Sequence, residues 1–263
     1  MKNTVLDFFG FSNIPFSKIL SPKQLFHSHE YKEAFSQFEY GIPLEDIMLL
    51  TGPIGCGKSA VLKALIYSLD TNLYNPIYVR GNSLSEAELY NIILSALGQK
   101  PPFFSSASRR MFYKLIPELT KMPVVFLDDA QEMKESALLA LKAMVNFDAD
   151  SQHRITFILA GQPELKAILK YSKFLALKQR IRLFFHMQGM SLQETCAYID
   201  HQTKVAGKPT SIFADDAKEK IHHSSDGIPR SINLICYRSI VNAALNDINI
   251  IDSNNLFLDD LSD

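Results

Sequence analysis

Only three of the 263 residues are cysteine: Cys56, Cys196 and Cys236. An odd number with no C-x-x-C spacing supplies neither a disulfide framework nor a structural zinc site, so a reducing cytoplasm is the expected setting. No apolar run approaches the ~20 residues that a membrane span needs. The amino terminus, MKNTVLDFFGF, lacks the long apolar stretch and small-residue cleavage site of an export signal; a cytoplasmic chain with no membrane contact is expected. Internal repeats and low-complexity tracts are also missing. The seven histidines offer no metal-ligand pattern, since His222 and His223 are adjacent and His27 and His29 have no helical ligand spacing or nearby cysteine.

Net charge is nearly absent as well. A formal value of −1 argues against a uniformly basic nucleic-acid binder, but local patches are what phosphate contacts require. From Glu164 to His186 the basic residues Lys166, Lys170, Lys173, Lys178, Arg180 and Arg182 face one acid, Glu164. The tail from Asn246 carries Asp247, Asp252, Asp259, Asp260 and Asp263 with no lysine or arginine. A solvated face is the competing reading of either run.

What the chain does have is length and a core. Its 263 residues at 47% hydrophobic content suffice for one large domain or a larger and a smaller one. Apolar β-type runs at Ile47–Thr51, Ile77–Arg80, Val124–Leu127, Ile155–Ala160 and Leu183–Met187 alternate with helix-like segments, which predicts a mostly parallel sheet covered on both faces. Ser85 with Glu88 reads as a capping box opening a helix that ends near Gly98; Pro101 and Pro102 then break the chain before a helix through Arg110 and Leu119. A second capping box, Ser191 with Glu194, opens three helices around Leu192–Ala206, Ala214–His223 and Ser231–Leu245. The strand signal stops at Met187, so an α/β core over 1–189 and a small helical domain over 190–263 are expected.

The sharpest motif is GPIGCGKS, Gly52 to Ser59, between the apolar run Ile47–Leu50 and the helix-compatible run Ala60–Leu69. Strand, glycine-rich loop and helix together make a phosphate loop. Gly52, Gly55 and Gly57 let the backbone curl so that successive N–H groups, those of Ile54 and of Cys56 through Ala60 among them, face a polyphosphate at the positive end of a helix, with Pro53 in the same loop but carrying no N–H. Lys58 would reach the β and γ phosphates of ATP, and Ser59 would offer its hydroxyl to Mg2+.

VVFLDD, Val124 to Asp129, sets two carboxylates at the carboxyl end of a buried strand, the edge where α/β sheets bind ligands. Asp128 would hold the magnesium through its water shell. Asp129 stands where a water-polarising glutamate is common and is one methylene shorter; as a geometry error near 1 Å can cost ~100-fold, slow hydrolysis is expected. Capping of the next helix is the alternative for this pair. In AGQP, Gln162 would contact the γ phosphate or attacking water, or flank a helix begun by Pro163. In GIPR, Arg230 puts a cation at the helix end that repels cations, a conflict that a phosphate would remove; a surface salt bridge is the alternative. Arg180 in QRIR is a candidate arginine finger toward a neighbouring subunit, with Arg182 competing.

Taken in order, FFGFSNIPF, HEYKEAF, the phosphate loop, FLDDAQ, AGQPEL, QRI and GIPRSINLIC resemble AAA+ ATPases of the ExeA type. That resemblance implies an AAA+ phosphate-loop core with a parallel sheet flanked by helices, a C-terminal helical lid, Phe16 near the adenine, and nucleotide held between subunits of a ring or helical filament. Asp129 in place of the usual glutamate departs from the pattern. Secretion-associated members continue into a membrane span and an envelope-binding domain, whereas this sequence ends at Asp263. A compact branch accompanies DDE transposases and is similar in role to the MuB and TnsC target-selecting proteins; the phrase NFD, Asn146 to Asp148, resembles it. The resulting expectation is an ATP-gated assembly on duplex DNA that recruits or activates a DDE transposase. Candidate DNA contacts are Lys166, Lys170, Lys173, Arg109 and Arg110, with Lys121 nearby. The alternative is an ExeA-like ATPase energising or assembling a secretion-type machine without DNA.

Overall fold

The computed structural model describes residues 2–17, 24–44, 46–147 and 153–258. Asp148 of the NFD phrase and Asp259, Asp260 and Asp263 of the acidic tail lie outside them. By packing, the chain divides into two units, one of residues 1–32, 54–56 and 188–263 and one of residues 33–53 and 57–187.

The larger unit is built on five parallel strands: β1 (Ile47–Thr51), β2 (Tyr74–Arg80), β3 (Met122–Asp128), β4 (Thr156–Gly161) and β5 (Ile181–His186). Their spatial order is β2-β3-β4-β1-β5. β1 and β4 are buried at every position, as expected of central strands covered on both faces. On one face Ile47, Leu49, Val125, Leu127, Phe157 and Leu159 join a core with Leu89, Ile93, Phe112, Leu138 and Leu141. Those last residues come from α4 (Glu86–Ala96), α5 (Ser105–Leu115) and α6 (Glu135–Met144). Side chains alternate along a strand, so Met48, Leu50, Phe126 and Ile158 point to the opposite face, where α3 (Lys58–Ser68) packs near β4.

β5 begins two residues before its apolar run, because edge position rather than hydrophobicity admits Ile181 and Arg182 to the sheet. Arg182 is therefore an exposed strand residue and not a loop residue ahead of the strand. The capping box at Ser85 forms in full: the Ser85 hydroxyl accepts from the Glu88 N–H, and the Glu88 carboxylate accepts from the Ser85 N–H.

The smaller unit contains α1 (Lys2–Phe9), α9 (Leu192–Val205), α10 (Asp215–Ser225) and α11 (Pro229–Leu245). The second capping box, Ser191 with Glu194, opens α9. Phe9, Phe11 and Phe16 pack with Tyr198, Ile199, Phe213 and Ile232, so residues 1–32 go with these helices rather than with the sheet unit, to which the linear reading assigned them. Burial of three phenyl groups explains this. The Ser12 and Asn13 N–H groups also donate to the Ala206 carbonyl, at 2.8 and 3.1 Å. Lys218 is buried here and paired with Asp200 at 2.8 Å. Among the described residues no helix is long and apolar enough to cross a membrane.

Phe112 is fully buried, with its ring edge-on to Tyr90 at 5.1 Å, and it fastens α5 to α4. Phe112→Ala should cost about 3–5 kcal/mol. Urea unfolding will show this as a lower midpoint at unchanged slope.

Candidate nucleotide site

Three strand ends converge at one edge of the sheet. Thr51 pairs with Gly161, and Leu127 with Leu159, so β1, β4 and β3 finish side by side. The loop that follows β1 needs its glycines: Gly55 has φ 84° and Gly57 φ 113°, left-handed values costly to other residues. Gly57 caps α3 without any side-chain hydrogen bond, which leaves the amide end of that helix facing the loop. Lys58, first residue of α3, is buried; its Nζ donates to the Gly52 and Pro53 carbonyls, at 2.8 Å each. The ammonium thus sits over its own loop, where an anion would meet it.

Asp128, at the end of β3, is buried and collects three donors. Its Oδ1 accepts from the Asp129 N–H at 3.1 Å, and its Oδ2 accepts from the Ser59 hydroxyl and the Tyr78 hydroxyl, both at 2.7 Å. Burial, and then the bond to Asp128, push the Tyr78 hydroxyl up to about 12, so it stays a donor at neutral pH. Ser59 and Asp128 present hydroxyl and carboxylate oxygens in contact, with no sulfur or imidazole between them, and this donor set suits Mg2+. Bound there, the ion would neutralise charge on the phosphates that Lys58 and the loop amides hold.

Asp129 adopts φ 53°, ψ 42° and starts a 3-10 turn, Ala130–Glu132. Among non-glycine residues aspartate and asparagine best tolerate this left-handed backbone. The shorter acid is therefore what the turn favours. Gly81 answers the same turn: its N–H donates to the Asp128 carbonyl at 2.7 Å, and a β-carbon on it would collide with the Asp129 carbonyl.

Gln162 caps the short α7 (Pro163–Ile168) without a side-chain cap bond, and its N–H donates to Gln131 Oε1 at 3.0 Å. Gln131 Nε2 lies 3.4 Å from Asp129 Oδ1. Sequence reasoning missed Tyr78 and Gln131. Gln131 was visible in FLDDAQ, but its partner is 31 residues away; Tyr78 meets Asp128 from 50 residues away.

The remaining candidates stand on other elements, and of these Arg230 touches the phosphate loop. Arg180, just before β5, pairs with Asp46 at 3.8 Å, and Asp46 also bonds His153 at 2.8 Å; all three sit at the amino end of the sheet. Arg230 is the second residue of α11, within the smaller unit; its N–H donates to the Gly55 carbonyl at 3.3 Å. Phe16 is buried against Phe213, ring centroids 6.2 Å apart, beside a cavity of about 390 Å3 that Asn13, Gln24 and Gln202 also line. Its ring belongs to the helical unit's core. Of the basic candidates, Lys166 lies over the Phe184 ring at 4.7 Å, Lys173 pairs with Glu135, and Arg109 reaches Glu86 at 4.0 Å. Lys170, Arg110 and Lys121 are exposed, and Lys121 donates to the Thr71 carbonyl at 2.7 Å.

With a 2-3-4-1-5 parallel sheet, a phosphate loop after β1, and a Ser–Asp pair between the start of α3 and the end of β3, the chain has the AAA α/β fold, and residues 44–169 match the AAA domain family. Over 246 residues the chain is 34% identical to general secretion pathway protein A of Aeromonas hydrophila, covering 90% of this chain and 44% of that relative. The chain thus spans less than half the length of this homologue. Among solved structures, Cdc6p of Pyrobaculum aerophilum superposes with TM-score 0.67 at 17% identity over 94% of this chain and 68% of its own. Aeropyrum pernix ORC2 gives 0.68 at 14% identity over 93% and 70%. The Thermotoga maritima RuvB branch migration motor gives 0.56 at 16% over 86% and 64%. At such identities these three establish the fold alone.

Ser59→Ala should raise the magnesium concentration that half-saturates ATP binding by roughly tenfold, about 1.4 kcal/mol, the scale of one hydrogen bond to a charged group. Titration of magnesium at a fixed concentration of a fluorescent ATP analogue will measure it. Asp129→Glu should lose about 1 kcal/mol of stability to the left-handed turn, while Asp129→Asn keeps it; thermal melts of the two variants compare them.

Proposed function

We propose that this chain is an ATPase that energises or assembles a secretion-type protein machine, with ATP and Mg2+ held by residues 52–60 and by Ser59 and Asp128. The observation that carries this reading is the 34% identity to general secretion pathway protein A across 90% of the chain. The site supports it chemically. Lys58, the glycine-shaped loop and the uncapped start of α3 form an anion cradle, and the Ser59–Asp128 pair offers oxygen donors beside it. On this reading Asp129 polarises the attacking water, Gln162 borders the γ phosphate, and Arg230 answers that phosphate from the start of α11. Arg180 reaches the nucleotide of a second copy in a ring or filament. Slow turnover follows if the short Asp129 side chain sets the distance to that water.

The transposase reading finds no support in the comparisons. Three of its five candidate DNA contacts, Lys166, Lys173 and Arg109, are engaged by a ring or a carboxylate of the same chain. Each such contact competes with a phosphate for the cation.

Asp129→Asn should bind ATP and stall before hydrolysis, which makes it a trap. Purified from its own cells with ATP and magnesium, the trapped chain should bring down envelope secretion components, and added duplex DNA should neither co-sediment nor raise the ATPase rate of the unaltered chain. A transposase in the eluate, or an ATP-dependent complex on DNA, would replace this reading with the transposition one.

A further inference from the structure

We propose that Gln131 is a positioning residue for hydrolysis, whose carboxamide holds the Asp129 carboxylate in register with the Gln162 turn. The inference rests on the reading of Asp129 as the residue that polarises water. Chemistry fixes which way the amide faces. The Gln162 backbone N–H can only donate, so the Gln131 oxygen must be the atom 3.0 Å from it. That turns Nε2 toward Asp129 Oδ1, 3.4 Å away, and an ionised carboxylate can only accept. Neither bond survives a flip of the amide. A bond of this length is normal before substrate arrives, since catalytic hydrogen bonds tighten in the reacting complex.

The surroundings leave little other freedom. The Asp129 N–H is committed to Asp128 Oδ1 at 3.1 Å, and the left-handed backbone sets the direction of the Asp129 β-carbon. Rotation of the carboxylate is what remains, and Gln131 restrains it. On the other side, a β-carbon at residue 161 would stand 2.8 Å from Gln131 Oε1 and 2.7 Å from Leu165 Cδ2 and would displace one of these side-chain ends, so glycine there leaves Gln131 in place. The backbone ladder between β3 and β4 ends at Leu127 and Leu159, and beyond that pair the Gln131 amide adds a side-chain link from the turn after β3 to the Gln162 N–H.

A purely structural role would be to accept the Gln162 N–H at the start of α7. The two roles separate in Gln131→Glu, which keeps the acceptor for Gln162 but replaces the donor to Asp129 with a negative oxygen. Gln131→Met keeps the length and removes both bonds. The experiment compares these variants with Asp129→Asn in steady-state and single-turnover ATP hydrolysis, ATP titration and thermal melts. Both Gln131 variants should lose roughly 10- to 100-fold in kcat, the range for a reacting group misplaced by up to 1 Å, with KM and ATP affinity essentially kept. Gln131→Glu at unaltered rate would overturn the proposal and leave Gln131 as a helix cap. A loss that tracks a lowered melting temperature and a raised KM would also overturn it. Hydrolysis surviving in Asp129→Asn would instead overturn the reading of Asp129 itself.

Discussion

The register of three parallel strands is the constraint on which the site depends. β1, β4 and β3 are neighbours, and their pairing ends at Thr51, Gly161 and Leu127. Parallel strands run out of ladder partners at the same edge, so the chain leaves the sheet there three times within a few ångströms. The phosphate loop, the Asp128–Asp129 pair and Gln162 occupy those exits. A one-residue slip of β3 would turn Asp128 to the opposite face of the sheet and replace it beside Ser59 with a neighbour. Fully buried Val125, Leu127, Phe157 and Leu159 oppose that slip, because it would exchange the two apolar faces of the core. Core packing thereby fixes a polar site it does not touch.

Backbone conformation supplies the second constraint. The left-handed turn at Asp129 brings its carbonyl against Gly81 and ties the loop after β2 to the turn after β3. The Ser83 N–H donates to the Glu132 carbonyl at 3.1 Å, and the Lys134 N–H to the Leu84 carbonyl at 2.9 Å. Tyr78 reaches Asp128 from the same strand that leads into that loop. Strain at one residue is held by bonds on both sides of it, as expected where a carboxylate must point in one direction.

Local signals were legible in the sequence and long-range ones were not. The phosphate loop announces itself because strand, glycines, lysine and helix are contiguous. Both capping boxes involve residues three apart and form as read. Tyr78 and Gln131 could not be found that way, since each acquires its meaning from a partner brought near by sheet order. Residues 1–32 were assigned to the core by position along the chain, whereas burial of Phe9, Phe11 and Phe16 attaches them to the helices. The branch is not legible in the sequence either, since the phrase NFD is short and a chain that spans 44% of its relative does not show what the rest of that length adds.

The opposite edge of the sheet bears on how subunits would share a nucleotide. Arg180 stands at the amino end of β5, held by Asp46, which is also engaged by His153. At 3.8 Å the Arg180–Asp46 contact is a long ion pair between partly exposed groups, and pairs of that kind contribute about 0–1 kcal/mol. If Arg180 serves a second copy as proposed, its guanidinium would exchange Asp46 for a triphosphate carrying several charges, and that exchange would favour assembly when the γ phosphate is present.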